Sequence, residues 1–139
     1  MSTRAFRFGA LFGLGIVVAN LLLQFGLTPV LPWQVIGALS IGAWLGGVVG
    51  AGAFAGRDAP MRTAAVAAVV AAAFDLVRGI AVDLVVGVPA SQAGHLVTPG
   101  MAAAASLAEF TFIAPLAAGI GVAAARLAMR GGAVPQAGQ

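Results

Sequence analysis

The sequence predicts an all-α fold: a polytopic integral membrane protein built as an antiparallel bundle of four transmembrane helices, with both termini cytoplasmic. Three observations predict it. The 139 residues are 61% hydrophobic and only 8% charged, where a soluble domain carries about 25% charged residues. Long apolar runs alternate with short breaks that contain proline and glycine. Six of the seven arginines stand at the ends of those runs, and the loops after the first and third runs contain no arginine or lysine. Positive charge gathers on the cytoplasmic side, so Arg4, Arg7, Arg57, Arg62, Arg126 and Arg130 orient the chain.

The first run, residues 8–27, has about the 20 residues that cross a hydrocarbon core of about 30 Å. Its leading arginines also fit a signal peptide. Its core is too long for one, however, and no small-residue cleavage site follows cleanly, so a span is expected. Thr28-Pro29-Val30-Leu31-Pro32 breaks the helix, because proline lacks a donor and restricts the residue before it. The second run, residues 33–55, starts with Trp33 as an interfacial aromatic. Gly56-Arg57-Asp58-Ala59-Pro60 is a polar turn. The third run covers residues 63–88 and ends at Pro89. Thr98-Pro99 reads as an N-cap followed by proline at the first helical position. The fourth run covers residues 100–129, with a bend expected near Pro115. Residues 1–130 are thus one transmembrane domain, and 131–139 form a small, polar, flexible tail.

The basic balance, with a pI near 11.6, does not indicate nucleic acid. The arginines are spread singly, without clusters or interleaved aromatics. The chain has no cysteine, which excludes disulfides, thiolate catalysis and cysteine-ligated metals. Lysine is also absent, and alanine and glycine abound, as expected of a high-GC prokaryote. The expected location is therefore the plasma membrane of a prokaryotic cell.

Small residues recur at four-residue spacing. The second run carries Ala38, Gly42, Gly46 and Gly50, and the other runs carry Gly9 and Gly13, then Ala64, Ala68 and Ala72, then Ala117, Gly121 and Ala125. Lipid gives no hydrophobic drive for helix association, so such rows let backbones approach closely. The row on the second run is long enough to meet a sister helix, a second copy or another subunit.

Polar residues interrupt the far half of the runs. With a rise of about 1.5 Å per residue, Asp75 lies near the bilayer centre and Arg78 is level with Glu109. Asp83 is nearer the surface, and Asn20 and Gln24 of the first run reach the same slab. A charge at that depth costs about 2.5–3.5 kcal/mol on insertion scales. The third run is therefore expected inside the bundle. Asp75 and Arg78, three residues apart, share one helical face. Fully ionised, the slab would hold three acids against one arginine, so protons or a bound cation must offset the excess. The expected arrangement pairs Glu109 with Arg78 and leaves Asp75 to hold the proton or cation.

No other chemistry is supported. His95 is the single histidine, in the loop Ser91-Gln92-Ala93-Gly94-His95, and cannot by itself ligate haem. Ser106 lacks a general base, and Asp75 and Asp83 are about 12 Å apart on one helix, too far for an aspartyl dyad. The glycine row of the second run follows no strand, so it is no nucleotide loop. Trp44 is expected to face lipid or a neighbouring helix. The sequence thus predicts no enzyme and no cofactor. It predicts a transporter or channel subunit for an ion or small solute, with Asp75, Arg78, Glu109, Asp83, Asn20 and Gln24 as polar core, in a homo-oligomer. The alternative is an accessory subunit that docks into a larger membrane complex through Ala38, Gly42, Gly46 and Gly50.

Overall fold

In the computed structural model, residues 2–87 and 98–132 are described, and all regular structure among them is helical. Four helices are long and apolar enough to cross a membrane. Helix α1 spans Thr3–Leu21 and runs on into a π-helical turn, Leu22–Gly26. Helix α2 spans Trp33–Ala55, α3 Met61–Val85 and α4 Pro99–Gly132.

The ends follow local chemistry that hydropathy does not register. Helix α1 starts five residues before the expected 8–27 run, because Arg4 and Arg7 can be helical while their heads reach polar ground. The Arg4 guanidinium donates to the Phe54 carbonyl at 3.1 Å and lies 5.7 Å from the Phe8 ring centroid. That carbonyl belongs to the last turn of α2, which has no helical donors of its own. Helix α2 has the expected bounds. Between α2 and α3, Asp58 takes a φ of 55°, a conformation that aspartate tolerates better than most residues. Helix α3 stops at Val85, short of the expected 88. Gly87, at φ 101°, turns its N–H back to the Val82 carbonyl, and only glycine takes that conformation cheaply. At α4, the Met101 N–H donates to Thr98 Oγ1 at 3.2 Å, so Thr98 is the N-cap and Pro99 the first helical residue. Pro115 lies within a continuous helix. Gly131 and Gly132, expected to begin the flexible tail, end α4 instead. The rest of the tail and the His95 loop lie outside the described residues.

Helices α2 and α3 form the centre. Each contacts all the others, whereas α1 and α4 flank the pair and do not touch each other. One seam of α1, Ala5, Gly9, Gly13, Ile16 and Asn20, is buried. A Cβ added at Gly9 would collide with Val70, and one at Gly13 with Phe74. Gly47 and Gly50 of α2 stand against Ile16 and Phe12, and Phe12 and Phe8 pack on Phe54. Gly52 meets the Gly121 backbone, while Gly56 touches both Ala125 and Ala64.

These contacts place the starts of α1 and α3, the end of α2 and the last third of α4 together, at one arginine-bearing end. The packing there is solid. Val48, Ala51 and Ala55 of α2, Ala64, Ala67, Ala68 and Ala71 of α3, and Ala117 of α4 are all fully buried. The far half is different. Beyond Val48 in α2 and Ala72 in α3 no residue of either helix is buried. The helices separate where the polar residues stand.

Candidate functional site

The site grows from one seam of α1 and one face of α3. Asn20 extends the small-residue seam of α1, so its side chain is carried directly onto α3, where it is only 4% exposed. Its Nδ2 donates to Asp75 Oδ1 at 3.0 Å. Arg78 Nε donates to the same oxygen at 2.7 Å, forming an ion pair three residues apart on α3. Both side chains are about four-fifths buried, at 18% and 21% exposure. Arg78 Nη1 then donates to Gln24 Oε1 at 3.2 Å. Asn20, Asp75, Arg78 and Gln24 therefore form one hydrogen-bonded chain across α1 and α3.

Gln24 reaches Arg78 from within the π-helical turn. There the Leu27 N–H bonds back to Leu22, and the Thr28 hydroxyl donates to the Gln24 carbonyl. Pro29 has no N–H to extend the ladder past this turn, and the Thr28 hydroxyl satisfies the Gln24 carbonyl near its end.

The structure departs here from the expected pairing. Arg78 is matched by Asp75, not by Glu109. Depth brings Glu109 level with Arg78, but α4 lies on the other side of α3 from α1, and Gln24 draws the guanidinium toward α1. Glu109 is exposed and Asp83 half-buried. Among the described residues neither carboxylate has a cation within salt-bridge distance, and Arg78–Asp75 is the single ion pair.

Two cavities flank the chain of hydrogen bonds. One, of about 310 Å³, lies between α1, α2 and α3 and is lined by Asn20, Gln24, Ser40, Arg78, Gly79 and Asp83, with Ile36 and Val82. The other, of about 180 Å³, lies between α2, α3 and α4, and its lining includes Asp75, Trp44, Ser106, Glu109 and Phe110. Arg78 and Gly79 line both. A Cβ built on Gly79 would meet nothing within 4 Å among the described residues. Each cavity thus holds one carboxylate unpaired among the described residues, and Arg78 and the side-chain-free Gly79 border both.

Asn20 carries a further signal. Its Nδ2 must be the atom facing Asp75, because an ionised carboxylate only accepts hydrogen bonds. Its Oδ1 is then a buried acceptor, and it has no partner among the described residues. Such a group costs about 1–3 kcal/mol when left unsatisfied.

Sequence reasoning missed Ser40, and it read Ser106 only as a failed nucleophile and Trp44 only as a packing residue. The available signal was the four-step row Ile36, Ser40, Trp44, Val48, Gly52 and Gly56, which is one face of α2. That face turns to α3 and α4: solid at Val48–Gly56 and cavity-lining at Ile36–Trp44. Ala38, Gly42 and Gly46 lie two positions away, on the opposite side. They are exposed, and nothing stands within 4 Å of a Cβ built on Gly42 or Gly46. Gly50 alone of that row packs within the chain, on Phe12. Among the described residues no group of three or more His, Cys, Asp or Glu could hold a metal ion. No known protein family, curated protein or solved structure matches the chain.

Proposed function

We propose that the protein is a transporter or channel subunit for an ion or small solute, in the plasma membrane of a prokaryote. In this reading the four helices run antiparallel, with the arginine-bearing end and both termini cytoplasmic, and the polar cavities open to the other side. One observation carries it: two polar cavities, in the loosely packed half of a membrane-length bundle, both border Gly79 beside a hydrogen-bonded ion pair. Intramembrane ionisable groups that face a cavity commonly mark a permeation path, and single π-helical turns such as that carrying Gln24 recur at functional sites.

Four helices enclose little on their own, so the working unit is read as a homo-oligomer. The exposed Ala38, Gly42 and Gly46 face is the surface that would bring copies together. The same face also favours the second reading, an accessory subunit docked into a larger complex.

Shrinkage and re-swelling of proteoliposomes test the first reading. Sodium chloride, methylammonium chloride and glycerol serve as probes, and at least one should enter faster than into protein-free vesicles. Gly79→Leu has room for its side chain and should fold, yet it should close the junction and remove that flux. Entry no faster than the protein-free rate for all three probes, or a Gly79→Leu variant that conducts normally, would reject the transport reading.

A further inference from the structure

We infer that the cavity between α1, α2 and α3 binds a small monovalent cation that donates hydrogen bonds, of the ammonium or primary alkylammonium class. The inference rests on the transport reading and gives its substrate a charge and a chemistry.

Charge comes first. The lining holds one arginine and one acid; because Arg78 is already paired with Asp75 at 2.7 Å, Asp83 is the lining charge without a partner among the described residues. An anion would meet an arginine already matched and a carboxylate that repels it. A cation meets a carboxylate with no competing partner among the described residues.

Hydrogen bonding narrows the class. Asn20, 4% exposed, is among the lining residues, and its buried Oδ1 has no donor among the described residues. The Ser40 hydroxyl, from α2, and the Asp83 carboxylate, from α3, add acceptors from two further directions. Acceptors spread over three helices suit a cation with several N–H groups, because each N–H can address a separate helix. A bare metal ion instead needs its oxygens gathered in one tight shell. At about 310 Å³ the cavity has room for an alkylammonium cation together with water. Across Gly79 the second cavity repeats the sign, with Glu109, unpaired among the described residues, in a lining that includes Trp44 and Phe110, aromatic rings of the kind that attract cations.

The experiment is thermal unfolding of the full-length protein in mild detergent, titrated with methylammonium chloride. Sodium chloride and tetramethylammonium chloride at equal concentration are the comparison salts; the first lacks N–H donors as a metal ion, the second as a quaternary amine. Methylammonium should raise the midpoint well above either comparison salt. Asp83→Asn should weaken its apparent affinity at least tenfold, and Ser40→Ala several-fold. An equal rise with sodium or tetramethylammonium would overturn the inference, as would unchanged methylammonium affinity in Asp83→Asn. The two levels of argument separate cleanly. Gly79-sensitive entry of glycerol, with no methylammonium binding, sinks the cation site and keeps transport. Asp83-dependent methylammonium binding with no flux of any probe keeps the site and sinks transport.

Discussion

Asp75 Oδ1 accepts from both Asn20 and Arg78, so one oxygen anchors two helices and neutralises the arginine in the membrane interior. Removing one partner of a buried ion pair leaves the other uncompensated, at a cost of about 3–5 kcal/mol when burial is complete. With about a fifth of each side chain exposed, Arg78→Gln should cost less, about 2–3 kcal/mol. The double variant Asp75→Asn with Arg78→Gln should recover at least half of that loss, because it removes both charges together. Unfolding in detergent across the four members of this cycle checks the coupling, and strictly additive losses would contradict it. At this scale the sequence was legible in part. The three-residue spacing of Asp75 and Arg78 shows that they can pair, and depth places Asn20 and Gln24 level with them. Depth fixes only one of three coordinates, however. It could not show that Glu109 approaches α3 from the side opposite Gln24, and that is why the expected Glu109–Arg78 pair is not the one formed. Nor does residue spacing reveal the π-helical turn, which differs from an α-helical end only in which carbonyl the Leu27 N–H meets.

Each helix has a packing face set by its small residues, and α2 has two such faces with different fates. Gly52 lies so close to Gly121 that any side chain there meets backbone, and a Cβ on Gly121 would stand 2.9 Å from the Ala64 carbonyl oxygen. Backbone cannot swing aside. Overpacking typically costs about 1–3 kcal/mol where side chains can adjust, so Gly52→Val and Gly121→Val should reach or exceed the top of that range and sharply reduce folded protein on size-exclusion chromatography. Gly46→Leu should leave the single chain folded, since nothing stands near its Cβ, and should instead lower the oligomeric state or the yield of a co-purifying partner. If Gly46→Leu unfolds the chain, or leaves assembly unchanged, the exposed face is not an interface. The rows of small residues were plain in the sequence. Glycine spacing says that a helix can be approached closely; it does not say from which side, since rows two positions apart on α2 look equally good. The bulky members of the facing row, Ile36 and Trp44, masked its identity.

Over the whole molecule the packing is asymmetric. Alanine and glycine bring the four helices into solid contact at the arginine-bearing end, and that contact is the source of cohesion where lipid offers none. The far half gives up close packing, and the carboxylates, amides and hydroxyls occupy the resulting space. A solidly packed base with a loosely packed, polar-lined half suits a site that must admit and release something polar. The arrangement has meaning for transport only if the two halves face different compartments. The chain contains no cysteine, so single introduced thiols report sidedness without background. Ser2→Cys and Ala59→Cys lie at the arginine-bearing end, and Val30→Cys and Gly100→Cys at the other. In intact cells a membrane-impermeant maleimide should label Val30→Cys and Gly100→Cys only, and Ser2→Cys and Ala59→Cys should label after the membrane is opened. The proposed orientation follows the arginine distribution, and under it the Asp83 cavity would draw on the medium outside the cell. The reverse pattern would turn that cavity toward the cytoplasm, so any cation it binds would be drawn from there. Labelling of all four positions from one side would remove the transmembrane path altogether.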